Sequence, residues 1–167
     1  SFVAMDQIVN QASKIHYMFG GQAKFPITFR TSVGGGTKLA AQHSQSPYSM
    51  FMNLAGLKLV LPSTPYDMKG LLKSAIRDDN PVISFESSRL MGFEGEVPEE
   101  EFTVPLGKAD IKLDGENISV ITYGLMLHYC MEAARDLAKE DIRVEVVDLR
   151  TLRPLDKETV LQTYNSS

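Results

Sequence analysis

Residues 118–149 decide the fold, and they read ISVITYGLMLHYCMEAARDLAKEDIRVEVVDL. The continuous apolar run at 118–123 predicts a buried strand, and Gly124 predicts a turn directly after it. Apolar side chains then recur at helical spacing from 126 to 137, and 144–149 predicts a second strand. A crossover of about thirty residues is the connection that two parallel strands require. This stretch therefore predicts a βαβ unit and an α/β fold.

The clearest helix signal lies upstream, at residues 65–78. Thr64 is a good N-cap, Pro65 occupies the first helical position, and Asp67 completes a capping-box pattern. The apolar stripe that follows consists of Met68, Leu71, Leu72, Ala75 and Ile76. The turn at 78–81, which ends in a proline, stops this helix and leads into a strand predicted at 82–86.

The remaining segments extend the alternation of helices and strands toward the N-terminus. Apolar side chains at helical spacing over 5–19 predict an amphipathic helix that Gly20-Gly21 ends. Further strands are predicted at 25–29 and 57–61, and a long loop is predicted at 31–47. Strands that alternate with amphipathic helices indicate an α/β protein with parallel sheets.

The alternation is interrupted at residues 92–116, where glutamates crowd around Pro98. Such a charge run is typical of a solvated connector, so we assign it no chemistry. The sequence thus predicts one domain at 1–91, a connector at 92–116 and a second domain at 117–167. Because residue 1 is Ser and the helical pattern is already running within the first five residues, we expect the chain to be part of a longer protein.

Composition excludes several classes of function. The 167 residues carry 17 Lys plus Arg against 21 Asp plus Glu, a formal net charge of −4, and no basic cluster of the kind that binds nucleic acid. No apolar run approaches the roughly 18 residues that span a bilayer. The single cysteine, Cys130, cannot form an internal disulfide, which favours a reducing compartment such as the cytoplasm.

His43 is the best candidate for a catalytic residue. It lies in the predicted loop at 31–47, beyond the carboxyl end of a strand, where parallel α/β sheets gather ligands. Loops longer than about 12–15 residues without secondary structure are usually functional or disordered, and an imidazole exchanges protons near neutral pH. A polar loop histidine without function remains the alternative. By contrast, His16 and His128 lie beside apolar stripes, where packing or partial exposure is expected. Cys130 lies on the apolar stripe and is expected to be a small core residue.

Neither glycine motif predicts a nucleotide site. Gly34-Gly35-Gly36-Thr37-Lys38 has its lysine after the threonine, the reverse of a phosphate-binding loop, and Gly124 lacks the further glycines of a dinucleotide site. The end of the helix at 65–78 leaves carbonyl groups without intrahelical partners at the negative end of the helix dipole. These carbonyls and the turn at 78–81 could surround a cation, but on the residues alone an ordinary hydrated helix end is the preferred interpretation.

Seven stretches, taken together and in order, resemble one enzyme family: the beta subunit of the thiamine-diphosphate-dependent decarboxylating component of 2-oxo acid dehydrogenase complexes. They are MDQIVNQ (5–11), YMFGG (17–21), AAQHSQS (40–46), PSTPYD (62–67), KGLLKSAIRDDNPV (69–82), EVPEEE (96–101) and DLRTLRPLD (148–156). The pyruvate, branched-chain and acetoin versions of the subunit share them. The resemblance implies an incomplete transketolase-like pyrimidine-binding domain followed by the start of a transketolase C-terminal α/β domain.

The resemblance also implies cofactors, partners and sites. In this family thiamine diphosphate lies between alpha and beta subunits of an alpha2beta2 assembly, and the alpha subunit holds the diphosphate and magnesium. The product acyl group of a 2-oxo acid such as pyruvate, or of acetoin, passes to a lipoyl-bearing acyltransferase. His43 matches the active-site histidine of the family. The carbonyl ligands of its structural potassium ion match Ile27, Ala75, Ile76, Asp78 and Asn80.

The chain departs from the family at its start. The glutamate that activates the cofactor and the aromatic residue that stacks on the pyrimidine are expected upstream of Ser1, and Phe2 is out of register with the latter. We therefore expect no cofactor-binding residue of those two kinds in this chain, and no activity from it alone. The resemblance implies a cytoplasmic protein, or one of the mitochondrial matrix if the source is eukaryotic.

Two other hypotheses remain open on the sequence. One is a non-catalytic assembly or interaction domain that has kept the same scaffold. The other is a relative of transketolase or deoxyxylulose-phosphate synthase, which would encode both cofactor-binding halves in one longer gene. The full reading frame separates the transketolase hypothesis from the beta-subunit hypothesis, because it shows whether one gene encodes both cofactor-binding halves.

Overall fold

The computed structural model describes residues 2–166 and contains two β-sheets with helices packed against them. The first sheet has the order β1-β3-β2-β7, and the second has the order β4-β6-β5. The strands of the first sheet are β1 (Thr28–Val33), β2 (Lys58–Val60), β3 (Val82–Ser87) and β7 (Thr151–Arg153). Those of the second are β4 (Asp110–Leu113), β5 (Ile118–Thr122) and β6 (Val144–Asp148).

The α-helices lie between and around these strands. They are α1 (Ile15–Met18), α2 (Tyr48–Met52), α3 (Pro65–Ile76), α4 (Leu125–Leu137) and α5 (Lys157–Ser166). In the part of the chain between residues 2 and 166, none of the helices has the length and apolar character needed to cross a bilayer.

Both sheets combine a parallel centre with an antiparallel edge. β1 and β2 each pair in parallel with β3, and β5 pairs in parallel with β6. Helices α2, α3 and α4 make the connections between successive parallel strands, so the predicted α/β class and its parallel pairing are confirmed. β7 runs antiparallel to β2, and β4 runs antiparallel to β6. These two short edge strands were not predicted.

The hydrophobic core joins the two parts of the chain. Leu59, Ile83 and Phe85 from the first sheet pack in one cluster with Leu149 and Leu152. Leu152 lies in β7, and Leu149 precedes that strand. A strand from the C-terminal part therefore completes the sheet of the N-terminal part. A second cluster lies between α4 and the second sheet and contains Leu127, Ala134, Val144 and Val146.

Helix α3 begins as its sequence predicts. Thr64 has an extended conformation, and its hydroxyl oxygen accepts a hydrogen bond from the backbone N–H of Asp67 at 3.1 Å. That bond satisfies one of the N–H groups that the first helical turn leaves without partners. The predicted N-cap and the proline at the first helical position are both confirmed.

Strand β1 begins three residues later than predicted and ends four residues later. Pro26 has no N–H, and the Ile27 N–H turns back to the carbonyl of Phe25 at 2.8 Å, so the ladder with β3 begins only at Thr28. At the other end the parallel register continues to Val33, which is buried. The predicted loop is correspondingly shorter and contains a 3-10 turn at Ala41–His43.

The predicted N-terminal helix is broken into short pieces. A π-helix at Gln7–Ala12 precedes α1, because the Ser13 N–H reaches five residues back to the Ile8 carbonyl at 3.1 Å. Gly20 and Gly21 end the helical stretch as predicted, both with positive φ. The segment at 92–116, predicted as a connector, contains β4, whose partner β6 lies more than thirty residues further along the chain.

Candidate functional site

A cavity of about 810 Å³ lies along β1, and we call it the β1 cavity. Its floor is apolar and includes Val33, Phe51, Ile83 and Phe85, all of them buried. Its rim is polar, with the side chains of Gln7, Gln42, His43 and Gln45. A volume of this size falls in the range of about 300–1,000 Å³ that is usual for small-molecule sites.

His43 lies in the wall of this cavity, on the 3-10 turn that follows β1. The backbone returns the loop to the end of the strand, because the Gly34 N–H donates to the Gln45 carbonyl at 2.9 Å. Within residues 2–166 the imidazole has no hydrogen-bond or ion-pair partner, and its side chain is exposed. It is therefore free to exchange a proton with a bound molecule or with solvent.

The loop that carries His43 has a constrained backbone. Lys38 and Ala40 are not glycines, yet their φ values are +59° and +63°. The Ser44 hydroxyl donates to the Ala40 carbonyl at 2.7 Å and holds the turn closed. Non-glycine residues in such conformations cost about 1–3 kcal/mol each and are found mostly at functional sites, where the surrounding structure maintains them.

The Arg30 guanidinium, in the wall of the β1 cavity, is already neutralised. Arg30 Nε and Nη2 donate to the two carboxylate oxygens of Glu86 at 2.7 and 2.9 Å, a bidentate pair across β1 and β3. Hydrogen bonding to Glu86 and its negative charge raise the pKa of Arg30 above its ordinary value. No aspartate or glutamate is among the described residues that line this cavity, so it lacks a carboxylic acid of its own.

The five residues predicted as potassium ligands lie in two segments that the structure brings together. The Ile27 carbonyl accepts the Val82 N–H at 2.9 Å, and the Phe25 N–H donates to the Asp79 carbonyl at 2.9 Å. These bonds hold the entry to β1 against the turn that follows α3. Ala75, Ile76, Asp78 and Asn80 belong to that helix end and turn.

The turn itself is organised by the Asp78 carboxylate. Its Oδ1 accepts from the Asn80 N–H at 2.9 Å and from Asn80 Nδ2 at 3.1 Å, while Oδ2 accepts from Lys58 Nζ at 2.5 Å. Burial pushes the pKa of Asp78 up, but these hydrogen bonds outweigh it and hold the pKa below its ordinary value. The side chain is thus committed to the turn, which leaves main-chain oxygens as the groups that a cation would meet. Among the described residues no cluster of His, Cys, Asp or Glu suits a metal ion.

The other polar residues singled out in the sequence lie outside the β1 cavity. His16 Nδ1 is 2.9 Å from the Ala23 carbonyl, and His128 Nε2 is 2.8 Å from the Ser63 carbonyl. Cys130 packs against the cluster under α4. His128 and Cys130 are half-buried and pack as their positions beside apolar stripes predict, whereas His16 is exposed.

Sequence reasoning missed a buried cluster of charges where α3 meets the C-terminal part of the chain. Asp67, fully buried, forms ion pairs with Arg150 Nε at 2.7 Å and with Lys112 Nζ at 3.3 Å. Asp110 pairs with the same two cations, at 2.7 Å from Arg150 and 2.6 Å from Lys112. Arg150 reaches this cluster from a left-handed backbone conformation, with φ of +56°. The capping pattern predicted a role only for the start of α3.

Asp148 lies beside this cluster and is fully buried. Its Oδ1 accepts from the Ser63 hydroxyl at 3.0 Å and from the Arg150 N–H at 3.2 Å, while Oδ2 has no partner among the described residues. Burial raises the pKa of Asp148 to about 6, against a smaller lowering by these two hydrogen bonds. The negative charge of Asp67 nearby adds to the increase.

Two domain families match the chain, in the order in which the sequence predicts them. Residues 1–92 match the transketolase pyrimidine binding domain, and residues 107–166 match the transketolase C-terminal domain. Among solved structures, a split-gene transketolase described as an inactive beta4 tetramer superposes with a TM-score of 0.80. It is 20% identical, and the match covers 99% of this chain and 50% of that one, so it supports the fold alone.

Curated relatives are more similar in sequence. The beta subunit of acetoin:2,6-dichlorophenolindophenol oxidoreductase from Cupriavidus necator is 54% identical over 99% of this chain and 49% of its own length. From Bacillus subtilis, the 2-oxoisovalerate dehydrogenase beta subunit is 49% identical over 98% of this chain and 50% of its own length. The pyruvate dehydrogenase E1 component beta subunit from the same organism is 46% identical over 99% and 51%. The chain therefore spans about half the length of these relatives.

Proposed function

We propose that this chain is part of the beta subunit of a thiamine-diphosphate-dependent 2-oxo acid or acetoin dehydrogenase. The premise is that the chain belongs to the transketolase family, through its pyrimidine binding domain and its C-terminal domain. The observation that carries the proposal is the position of His43 in the wall of the β1 cavity, beyond the carboxyl end of a strand. Sequence identity of 46–54% to the beta subunits of an acetoin oxidoreductase, a 2-oxoisovalerate dehydrogenase and a pyruvate dehydrogenase, along nearly the whole chain, supports it.

The β1 cavity suits the aminopyrimidine half of thiamine diphosphate. The buried floor formed by Ile83 and Phe85 offers apolar surface to a flat ring, and Gln42 and Gln45 at the rim offer hydrogen bonds to ring nitrogens and an amino group. Bound there, the cofactor supplies the carbanion chemistry of the reaction. No carboxylate of residues 2–166 lines this cavity, and the proposal places the acid that activates the ring upstream of Ser1.

His43 moves the protons that accompany the reaction. Within residues 2–166 its ring nitrogens have no partner, and the residue is exposed. The imidazole can therefore donate to, or accept from, an oxygen or sulfur atom that enters the cavity. The constrained backbone on either side limits where the ring can go. General acid–base assistance by a positioned histidine typically contributes about 10²–10⁴-fold to a rate.

The proposal includes the partners of the whole enzyme. An alpha subunit provides the diphosphate and magnesium site in an alpha2beta2 assembly, and a lipoyl-bearing acyltransferase takes the acyl group. The substrate is a small 2-oxo acid such as pyruvate, or acetoin. Because the curated relatives bear the names of three different substrates at similar identity, the proposal stops at this class. The place of the reaction is the cytoplasm, or the mitochondrial matrix in a eukaryote.

A structural potassium ion at the end of α3 belongs to the same proposal. The carbonyl groups of Ile27, Ala75, Ile76, Asp78 and Asn80 are its ligands. Hydrogen bonds that hold the entry of β1 against the turn at 78–81 support this set. Since an ion that binds only the native state stabilises it, replacing potassium with sodium or choline should lower the melting temperature of the chain. An unchanged melting temperature would contradict the potassium site.

Reconstitution tests the proposed function. A longer form of the chain that begins upstream of Ser1 is mixed with an alpha subunit, thiamine diphosphate and magnesium. We expect reduction of dichlorophenolindophenol that depends on the cofactor and on a 2-oxo acid or acetoin. The 167-residue chain, mixed in the same way, should give none. Turnover by the 167-residue chain alone, or none from the longer form, would contradict the proposal.

A further inference from the structure

A second cavity, of about 590 Å³, lies against one face of α4, and we call it the α4 cavity. Arg89 and Phe93 enter it from the segment after β3, Lys112 enters it from β4, and His128 and Arg135 enter it from α4. It therefore lies at the junction of the two family domains. None of the described residues lines both this cavity and the β1 cavity.

The charge in the α4 cavity is not balanced. Within residues 2–166, neither Arg89 nor Arg135 forms an ion pair, while Lys112 is already paired with Asp67 and Asp110. Glu132 is the only carboxylate among the described lining residues. The chain as a whole has a net charge of −4, so an excess of positive charge here does not follow from composition. Guanidinium groups bind carboxylate and phosphate oxygens in a bidentate manner.

The same cavity offers a surface to an organic group. The Arg89 guanidinium lies over the Tyr129 ring, 5.7 Å from its centroid, and the Phe93 ring meets the His128 ring edge-on at 4.5 Å. His128 is held in place because its Nε2 donates to the Ser63 carbonyl, an atom that can only accept. Leu127 and Met131 add apolar lining. The cavity thus combines aromatic rings with two guanidinium groups that form no ion pair within residues 2–166.

We propose that the α4 cavity is a binding site for a small organic phosphate. A phosphomonoester carries a charge of about −1.5 to −2 at neutral pH, which matches two unpaired guanidinium groups better than the single charge of a 2-oxo acid does. This site is independent of the proposed function. It is adjacent to the loop that carries His43, because Arg89 packs against Gly36: a Cβ built there would lie 2.8 Å from Arg89 Cδ.

Titration with phenyl phosphate tests the site without any assay of activity. Binding is measured by calorimetry, and its position by amide chemical shifts, with Arg89→Gln, Arg135→Gln and the double variant. Both side chains are exposed, so the variants should fold, which circular dichroism checks. The matched control is Arg143→Gln, an exposed arginine that pairs with Glu116 and does not line this cavity.

We expect saturable binding that each single variant weakens at least tenfold and the double variant abolishes. Arg143→Gln should change the affinity less than twofold, and the shifted amides should map to α4 and the segment after β3. Inorganic phosphate should bind more weakly, since it makes no contact with the rings. No saturable binding, equal losses in the control variant, or equal affinity for inorganic phosphate would overturn the proposal.

Discussion

At the scale of single residues, the surroundings of His43 and Asp148 determine what each side chain can do. Only His43 could be identified from the sequence. His43 was identified from its place in a long loop after a strand, and the structure puts it in the wall of the β1 cavity. Asp148 gave no sequence signal, because its environment is made by Ser63, 85 positions away along the chain. Loop position is a local property, whereas burial of a carboxylate depends on the whole fold.

Replacing His43 with glutamine tests its catalytic role. In the reconstituted assembly, His43→Gln should lower kcat by about 10²-fold or more, because glutamine cannot exchange a proton. KM and thermal stability should change little, since the side chain is exposed and has no partner within residues 2–166. The control is His16→Gln on α1, outside the β1 cavity, which should leave kcat unaltered. A His43→Gln enzyme with more than half of the original kcat would contradict the role.

Asp148 should make stability depend on pH. Its pKa is raised from 3.8 to about 6 in the folded state, so the folded protein binds this proton more tightly than the unfolded chain. Protonation therefore stabilises the fold below pH 4, and this contribution is lost as the pH rises through 6. A shift of this size corresponds to about 3 kcal/mol.

Asp148→Asn cannot lose a proton, and its amide oxygen can still accept from Ser63 and Arg150. Relative to the unaltered chain, the variant should therefore gain stability between pH 4 and pH 8, by up to about 3 kcal/mol. Urea unfolding at several pH values measures this difference. For the control Asp114→Asn, at an exposed position, the free energy of unfolding should depend on pH as it does in the unaltered chain. Parallel behaviour of Asp148→Asn as well would show that Asp148 does not bind the proton.

At the scale of elements, the sequence predicted what local chemistry specifies. The cap and stripe of α3 and the βαβ unit of β5, α4 and β6 lie where their patterns predict them. β4 and β7 were missed because they are three or four residues long and each pairs with a distant segment. The division of the N-terminal helix into a π-helix and α1 was missed because an i to i−5 bond leaves the apolar spacing almost unchanged.

Gly70 in the middle of α3 shows tertiary packing outweighing helix propensity. By propensity alone, Gly70→Ala should stabilise a helix by about 1 kcal/mol. However, a Cβ at this position would lie 2.4 Å from Val104 Cγ2 and 2.9 Å from Phe102 Cε2, because the extended chain crosses the helix here. The Val104 N–H also donates to the Gly70 carbonyl at 3.2 Å, which holds the crossing chain close.

We therefore expect Gly70→Ala to lower the free energy of unfolding by about 1–3 kcal/mol, the usual cost of overpacking. Chemical denaturation measures it. The matched control is Gly92→Ala, where an added Cβ would meet nothing within 4 Å. That variant should be neutral or slightly stabilising. A stabilised Gly70→Ala protein would mean that residues 102–104 do not pack on α3 as described.

At the scale of the whole molecule, the two family domains are held together by a strand and by charges. β7 comes from the C-terminal part and extends the first sheet, and Leu149 and Leu152 complete its core. Beside it, Asp67 on α3 pairs with Arg150 and Lys112. Because these contacts join residues 45 or more positions apart, no local pattern could predict them. Because of these contacts, we expect the chain to unfold as one cooperative unit.

Asp67→Asn tests whether the charge cluster holds the two parts together. The substitution keeps the size and the Thr64 contact. Among the described residues it leaves Asp110 as the carboxylate that forms ion pairs with Arg150 and Lys112. Removing one partner from a buried ion pair typically costs about 3–5 kcal/mol. Because Asp110 still compensates part of the positive charge of Arg150 and Lys112, we expect a loss at or below the lower end of that range. The midpoint of denaturant unfolding, monitored by far-UV circular dichroism, should therefore shift to a lower denaturant concentration. The control, Glu101→Gln, breaks the exposed pairs with Lys73 and Arg77 and should change stability little. Equal, small effects of both variants would show that β7 and its core contacts join the two domains without help from the charges.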